Sequence, residues 1–446
     1  MTRRGMTLVE MLVAMTATLL IMAAVAQAFS AFGDAVSGGR SVLELDARMR
    51  TVAWRLRSDL AGGTARPVPP LNPAAGEGYL EIIEGPATDY GDSSLISTAG
   101  SAVSGDHDDA LLLTTRSLDT PFIGRAPGTG GSTDDTFEST LAEVGWFARP
   151  TPGTSNPATF TLFRKQLLVM GYVGTDPFLA GNNSLAWSGS WAGYFNAPCD
   201  VSVRREGNVL YPNTLAELTR REARFLHNPL GLTGTAAFPA VFAAGNHQSN
   251  PAPDGLIFET VQRQGEDVVL TNVVAFDVRV FDPAAPVFRT ADGSALVPGD
   301  PGFENTAFAS GAYVDLGHAV TANSLLSPIL PRFAGFGLAR SGLAGSAATP
   351  RTYDTWSLGY EADGLDQDND GTSDDGTNGL DDDGDGSFDE PPYDADGDGV
   401  FEDAGESETL PPYPHPLRGI EIRIRCYEPS SRQVRQVTVR HTFVPH

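Results

Sequence analysis

Three loops in this chain carry carboxylates at a spacing that can close around a hard cation. Asp366, Asp368, Asp370 and Gly371 with Asp374 set the pattern; it recurs as Asp381, Asp383, Asp385 and Gly386 with Asp389, and as Asp394, Asp396, Asp398 and Gly399 with Glu402. Carboxylates at positions one, three and five converge on one ion, Gly at six permits the sharp turn, a backbone carbonyl at seven adds a ligand, and an acid at nine fills much of the shell. The carbonyls at seven belong to Thr372, Ser387 and Val400. An all-oxygen cage of this kind selects calcium. Position twelve holds Thr377, Pro392 and Gly405, so no bidentate Glu completes the shell and affinity should fall near ~10⁻⁴ to 10⁻³ M, the range of extracellular modules. The competing reading is a solvated acidic linker.

The loops resemble EF-hand-like calcium loops of the thrombospondin type 3 and dockerin kind, without a helix-forming pattern on either side. Calcium would then be a structural staple, because the metal-free carboxylates repel one another.

A second charge stands where charge is costly. Arg3, Arg4 and Gly5 precede Met6-Thr7-Leu8-Val9-Glu10 and an apolar run to Phe29, long enough to cross a bilayer as one helix. Glu10 sits inside that run, and an ionisable group in a spanning segment implies a partner or a task. The stretch resembles the signature of the type IV pilin and pseudopilin superfamily: a short basic leader ending in Gly, then a hydrophobic helix with Glu at mature position five. The resemblance implies cleavage between Gly5 and Met6 by a prepilin peptidase, methylation of the new amino group, and pairing of Glu10 with the amino terminus of a neighbouring subunit during filament assembly. Met6 departs from the Phe that the family most often places first. Two plainer readings use the same residues: a secretory signal cut after Ala26-Gln27-Ala28, releasing a protein that starts at Phe29, and a simple single-span anchor. In all three readings Arg3 and Arg4 precede the run and argue for a cytoplasmic N-terminus with everything after Phe29 exported; in the pilin-like reading the head lies across the inner membrane, in the periplasm.

The elements that must position these groups follow the same order. Ser41 with Glu44 forms a candidate capping box, and Val42, Leu45, Met49, Val52, Leu56 and Leu60 recur at helical spacing, with Arg48, Arg50, Arg55 and Arg57 on the opposite side. Gly33, Gly38 and Gly39 are expected to interrupt or kink the join with the membrane run. Beyond Leu60 the chain reads as strands in loops rich in Gly, Pro and Ser: 79–83, 110–115, 142–148, 159–168, 268–281, and a final hairpin of 420–427 with 434–444 turned by Glu428-Pro429-Ser430-Ser431. The alternation in the hairpin predicts one solvated face. Thr214 with Glu217 predicts a short helix through Leu226.

The expected fold class is therefore α+β: a long N-terminal helix, membrane half plus amphipathic half, packed on an antiparallel β-sheet head with large loop insertions. The expected divisions are a leader 1–5, a transmembrane helix 6–29, an amphipathic half 30–62, a β-rich head 63–360, the acidic insertion 361–409 and a terminal hairpin 410–446. The strand order resembles the J-type minor pseudopilins of type II secretion, and W-type minor pilins share much of it; insertions near 170–260 and 285–410 lengthen this chain. That resemblance implies as partners other pseudopilins or minor pilins, prepilin peptidase, the inner membrane and secreted substrate proteins. The alternative of another class is a membrane-anchored, calcium-stabilised surface-binding protein, with Trp187, Trp191, Tyr194 and Phe195 as its ligand platform or, more simply, as core.

Charge excludes one class. The chain has 30 basic and 56 acidic residues, and 19 of the acids lie between Asp363 and Glu408 with no Lys or Arg. The remainder is nearly balanced and offers no basic face for nucleic acid. Catalytic patterns are missing too: the seven His are scattered and there is no G-x-S-x-G, H-E-x-x-H or P-loop. His107, within Asp106-His107-Asp108-Asp109, can ligate a metal but reads more simply as a polar approach to a strand. Cys199 and Cys426 can form one disulfide in an oxidising compartment or remain two buried thiols.

Overall fold

The computed structural model describes residues 7–69, 75–84, 97–98, 101–102, 105–126, 135–151, 159–170, 185–186, 199–206, 209–220, 223–224, 266–290, 293, 295–298, 300, 307–316, 352–355 and 416–443. One helix, α1 (Leu8–Ala61), is 54 residues long and starts at an N-cap on Thr7. Its first half is bare: Leu8, Leu20, Phe29 and Phe32 are 68–81 % exposed. This half is apolar and long enough to cross a membrane.

The helix runs without interruption through Gly33, Gly38 and Gly39, which corrects the expected break. A helix-interior Gly costs only about 1 kcal/mol relative to Ala and removes no hydrogen bond, whereas Pro would cost about 3 kcal/mol and remove one. Ser41 accordingly caps nothing. Glu44 instead pairs with Arg40 one turn earlier, at 3.1 Å. The capping box stands at the true start, where Thr7 and Glu10 exchange side-chain and backbone bonds.

The second half of α1 turns Leu45, Met49, Val52, Leu56 and Leu60 inward, each no more than 6 % exposed; full burial of such a side chain stabilises by about 1.5–3 kcal/mol. They meet an antiparallel sheet of β1 (Leu80–Ile83), β2 (Ala110–Arg116), β3 (Leu141–Pro150), β4 (Phe160–Val169), β5 (Val268–Arg289), β6 (Ala307–Val314), β7 (Thr352–Asp354), β8 (Gly419–Glu428) and β9 (Gln433–Thr442). The order across the sheet is β7-β1-β2-β3-β4-β5-β8-β9, with β6 on β5 beside its far end. This is the pilin-like architecture, a long N-terminal helix on a curled antiparallel sheet.

The turn at 429–432 brings β8 and β9 together in continuous register from Glu428 and Gln433 to Gly419 and Thr442. The solvated face expected of this hairpin holds for β9 alone. β8 is flanked by β5 and β9, so Ile420, Ile422 and Ile424 face the helix while Glu421, 1 % exposed, is satisfied on the other side by Arg423 and Arg440. Strands β1 to β4 are buried on both faces, because Cys199, Val201, Val203, Leu210 and Leu218 of the first insertion cover the side away from α1.

Among the described residues of that insertion, the helix expected to start at Thr214 stops short of its expected length. Thr214 does accept the expected role: its N–H and hydroxyl both donate to Glu217. The turn then ends at Thr219, and Arg220 is extended. Arg224 is fully buried and donates to the carbonyls of Leu218 and Thr219. Its guanidinium also lies 3.0 Å from Glu81 and 2.9 Å from Asp354. Those two carboxylates are direct cross-strand partners in β1 and β7, a like-charge pairing that would splay the strands, and the cation between them is what the chain needs there.

The end of α1 is fixed by polar contacts. Asp59 accepts from Arg164 through both oxygens at 2.8 Å and from the indole N–H of Trp146 at 2.9 Å, and its carbonyl accepts from the Thr115 hydroxyl. Gly62 follows because a Cβ there would lie 2.2 Å from the Arg116 carbonyl oxygen. Asp59→Ala should therefore destabilise the detergent-solubilised chain by about 3–5 kcal/mol, the usual consequence of stranding one member of a buried ion pair, read as a lower urea midpoint in Trp fluorescence.

Candidate functional site

Gly5, Met6 and the three calcium-type loops, with Asp366, Asp368, Asp370, Thr372, Asp374, Asp381, Asp383, Asp385, Ser387, Asp389, Asp394, Asp396, Asp398, Val400 and Glu402, lie outside the described residues, as do Trp187, Trp191, Tyr194 and Phe195. Glu10 is described. Its carboxylate accepts from the Thr7 N–H at 2.8 Å and the Thr7 hydroxyl at 3.0 Å, while the Glu10 N–H donates to the Thr7 oxygen at 3.4 Å. The T-x-x-E spacing of Thr7 and Glu10 is the local signal for this box, overlaid in the sequence by the stronger apolar pattern.

A second carboxylate group is assembled in the head. Residues 105–109 run along β5: Gly105 N–H donates to the Val274 carbonyl, Phe276 N–H to the Asp106 carbonyl, and Val278 N–H to Asp109 Oδ2 at 2.7 Å. This lays Asp106, Asp108 and Asp109 beside Asp277, all about 1 % exposed. The end of β1 adds Glu84 and the residue after β6 adds Asp315. Within Glu84, Asp106 and Asp315, and again within Asp106, Asp108 and Asp109, one oxygen from each lies within 4.8 Å of the others. Two acid clusters of this geometry can coordinate a metal ion, and an all-carboxylate donor set suits a hard cation. His107 is not part of either: its ring packs 3.9 Å from Phe160 and Nδ1 faces the Gly105 carbonyl.

Protein cations meet part of this charge. Arg279, fully buried, lies 3.0 Å from each of Asp277, Asp300 and Asp315, and Arg423 approaches Asp300 at 3.7 Å. Glu84 and Asp106 are pushed well above the ordinary carboxylate range, first by burial and then by the neighbouring charge of Asp109. Asp106, Asp108 and Asp109 were visible as a run; Glu84 and Asp315, more than 200 positions apart by their numbers, gave no local signal. Both cysteines are buried free thiols. Cys426 donates to the Thr271 carbonyl, and burial pushes its thiol up to about 12; Cys199 belongs to the cluster on the opposite face of the sheet.

Comparison with family models, with curated proteins and with solved structures returns no match.

The raised carboxyls set the sign of a pH dependence. The folded chain holds protons on Glu84 and Asp106 that the unfolded chain has released above about pH 4–4.5. Their contribution to stability is complete below that range and is lost as pH rises through the higher folded values. In chelator, the urea midpoint should fall between pH 5 and pH 8 by this account, and Glu84→Gln should flatten the fall; a midpoint that rises over this interval contradicts it.

Proposed function

We propose that this chain is a minor pseudopilin or pilin-like subunit of a type II secretion or type IV pilus system, acting in assembly of the filament or its tip and through it in protein export. The observation that carries the reading is the division of α1: one half bare, apolar and of membrane length, the other locked to an antiparallel sheet. The leader residues Arg3, Arg4 and Gly5 and the Glu10 position support it from the sequence. On this reading prepilin peptidase cuts after Gly5, Met6 is methylated, and the protein waits in the inner membrane as a single-pass subunit with its head in the periplasm. Glu10 then pairs with the amino terminus of an adjacent subunit. Other pseudopilins or minor pilins, and the exported substrate, meet the head.

Calcium has a structural place in the same proposal, held by the three D-x-D-x-D-G loops. Carboxylates at one, three and five, the carbonyls of Thr372, Ser387 and Val400, and the acids at nine are its ligands.

Two measurements test these readings. Mass spectrometry of the native membrane protein should find N-methylated Met6 as the first residue; a start at Phe29 or an intact Met1 in a peptidase-positive strain contradicts processing. Glu10→Gln should leave the protein membrane-bound and folded yet abolish its recovery in sheared filaments, whereas an anchored binding protein would be indifferent. For calcium, titration calorimetry should give dissociation constants of about 10⁻⁴ to 10⁻³ M, lost when Asp366, Asp381 and Asp394 are all changed to Asn.

A further inference from the structure

The face of α1 turned away from the sheet carries charge that the described residues do not neutralise. Leu43, Ala47, Arg50, Trp54 and Arg57 follow one another at spacings of four and three, forming a single exposed stripe, with Leu43 71 % and Trp54 67 % accessible. Arg48 and Arg55 lie at its border toward the head, Arg48 in a pocket with Thr271, Asn272 and Glu428 and Arg55 within reach of the Asp59 charge. The nearby acids are already engaged: Glu44 by Arg40, Asp46 by Arg435 at 3.9 Å, and Asp59 by Arg164. Among the described residues, Arg48, Arg50, Arg55 and Arg57 form no ion pair, while Arg66, Arg125, Arg204, Arg224, Arg279 and Arg423 all do. Arg50 and Arg57 on either side of an exposed indole make a surface suited to an acidic chain, whose carboxylates can bridge guanidinium groups over a stacking ring.

The chain itself carries the complementary charge. Its one strongly unbalanced stretch, Asp363–Glu408, has 19 acids and no base. The places where this stretch leaves and rejoins the described fold are pinned together: Leu417 N–H donates to Tyr353 Oη at 3.1 Å and to the Pro67 carbonyl at 2.9 Å, and Tyr353 Oη itself donates to that Pro67 carbonyl. Pro67 lies just beyond the end of α1. The described residues on either side of 356–415 are therefore held next to each other and next to Pro67. At 1.5 Å per residue Arg50 and Arg57 are on the order of 5–20 Å back along the helix, and half of 356–415, extended at about 3.3 Å per residue, reaches well past them.

We propose that the acidic stretch Asp363–Glu408 docks on the Arg50, Trp54 and Arg57 face of α1 in the same molecule. A second copy is the weaker occupant, because a parallel in-register helix would set Arg50 against Arg50 and Arg57 against Arg57. The contact is electrostatic and partly exposed, so it weakens with salt, and it covers the outward face of α1 that any neighbouring helix would need.

Lys165 is the chain's single lysine and is buried against Asp267, which gives a clean experiment. The full chain carrying Arg50→Lys and Arg57→Lys, in detergent micelles with chelator at low ionic strength, is treated with a water-soluble carbodiimide, and the zero-length links are mapped by mass spectrometry in an equal mixture of light and isotopically heavy protein. The expected result is links from positions 50 and 57 to carboxylates between Asp363 and Glu408, within one isotope class, falling several-fold at high salt. Links only between light and heavy chains overturn docking within the molecule. Links confined to acids elsewhere, or no links while both introduced amines acetylate freely, overturn the docking altogether. Because the measurement is made without calcium and without filaments, its failure is distinct from failure of the calcium or assembly readings.

Discussion

Everything in this fold hangs on how one helix is held at one end. A 54-residue helix extends for about 80 Å, and only its C-terminal third has a sheet to lie on. The apolar contacts of Leu45, Met49, Val52, Leu56 and Leu60 supply adhesion but little direction, since a hydrophobic stripe tolerates sliding by a turn. Direction comes from Asp59. Its two oxygens are divided between a bidentate guanidinium on β4 and the indole N–H of β3, and its own carbonyl is taken by Thr115 of β2. Three strands thus read the position of one residue. A shift of the helix by a single position would leave a buried carboxylate and a buried arginine stranded, at several kcal/mol, which makes this contact the register pin between helix and head.

The same economy of placed charges recurs across the sheet, with a different balance. Glu81 and Asp354 face each other across β1 and β7 and share Arg224; Tyr79, whose ring lies 4.0 Å beneath that guanidinium, donates its hydroxyl to Glu143 at 2.8 Å. On the β5 side, Arg279 serves Asp277, Asp300 and Asp315 at once. In both places carboxylates outnumber guanidinium groups. Beside the second group, burial and the charge of Asp109 push the Glu84 and Asp106 carboxyls well above the ordinary range, so that part of the charge there is removed by protons. The head is consequently built to prefer conditions that neutralise acids, whether by protonation or by a hard cation on the carboxylate clusters.

Much of this was legible from local pattern. The strands at 110–115, 142–148 and 159–168 and the terminal hairpin were marked by β-branched and aromatic runs between turn residues, and each falls on a strand of the sheet. The helix was legible in its faces but not in its continuity, because Gly33, Gly38 and Gly39 look like punctuation and act only as a modest local cost. What local pattern cannot carry is pairing. Strand β7 is three residues of a sequence with no apolar run, and it exists because Thr352–Asp354 completes the edge of β1. The helix expected from Thr214 to Leu226 fails for the same reason: Arg224 has tertiary partners on β1 and β7 that outweigh its helical preference. The acid clusters join residues from β1, from the approach to β2, from β5 and from the end of β6, so only the Asp106 to Asp109 portion could be seen in one stretch.

The two ends of α1 solve one problem in opposite ways, and the contrast bears on what the helix is for. At the C-terminal end the polar groups are satisfied by the head, permanently and out of solvent. At the N-terminal end, among the described residues, Glu10 is satisfied by Thr7, three residues away on the same exposed turn. A capping contact of this type is worth about 0.5–2 kcal/mol, while a carboxylate and an ammonium brought together in a low-dielectric setting attract more strongly. The local cap is thus strong enough to start the helix and, under the proposed assembly reading, weak enough to be exchanged for a cation on a neighbouring chain. A fixed head end and an exchangeable outer end are what the proposed reading requires of a subunit that rests in a membrane alone and later packs beside others.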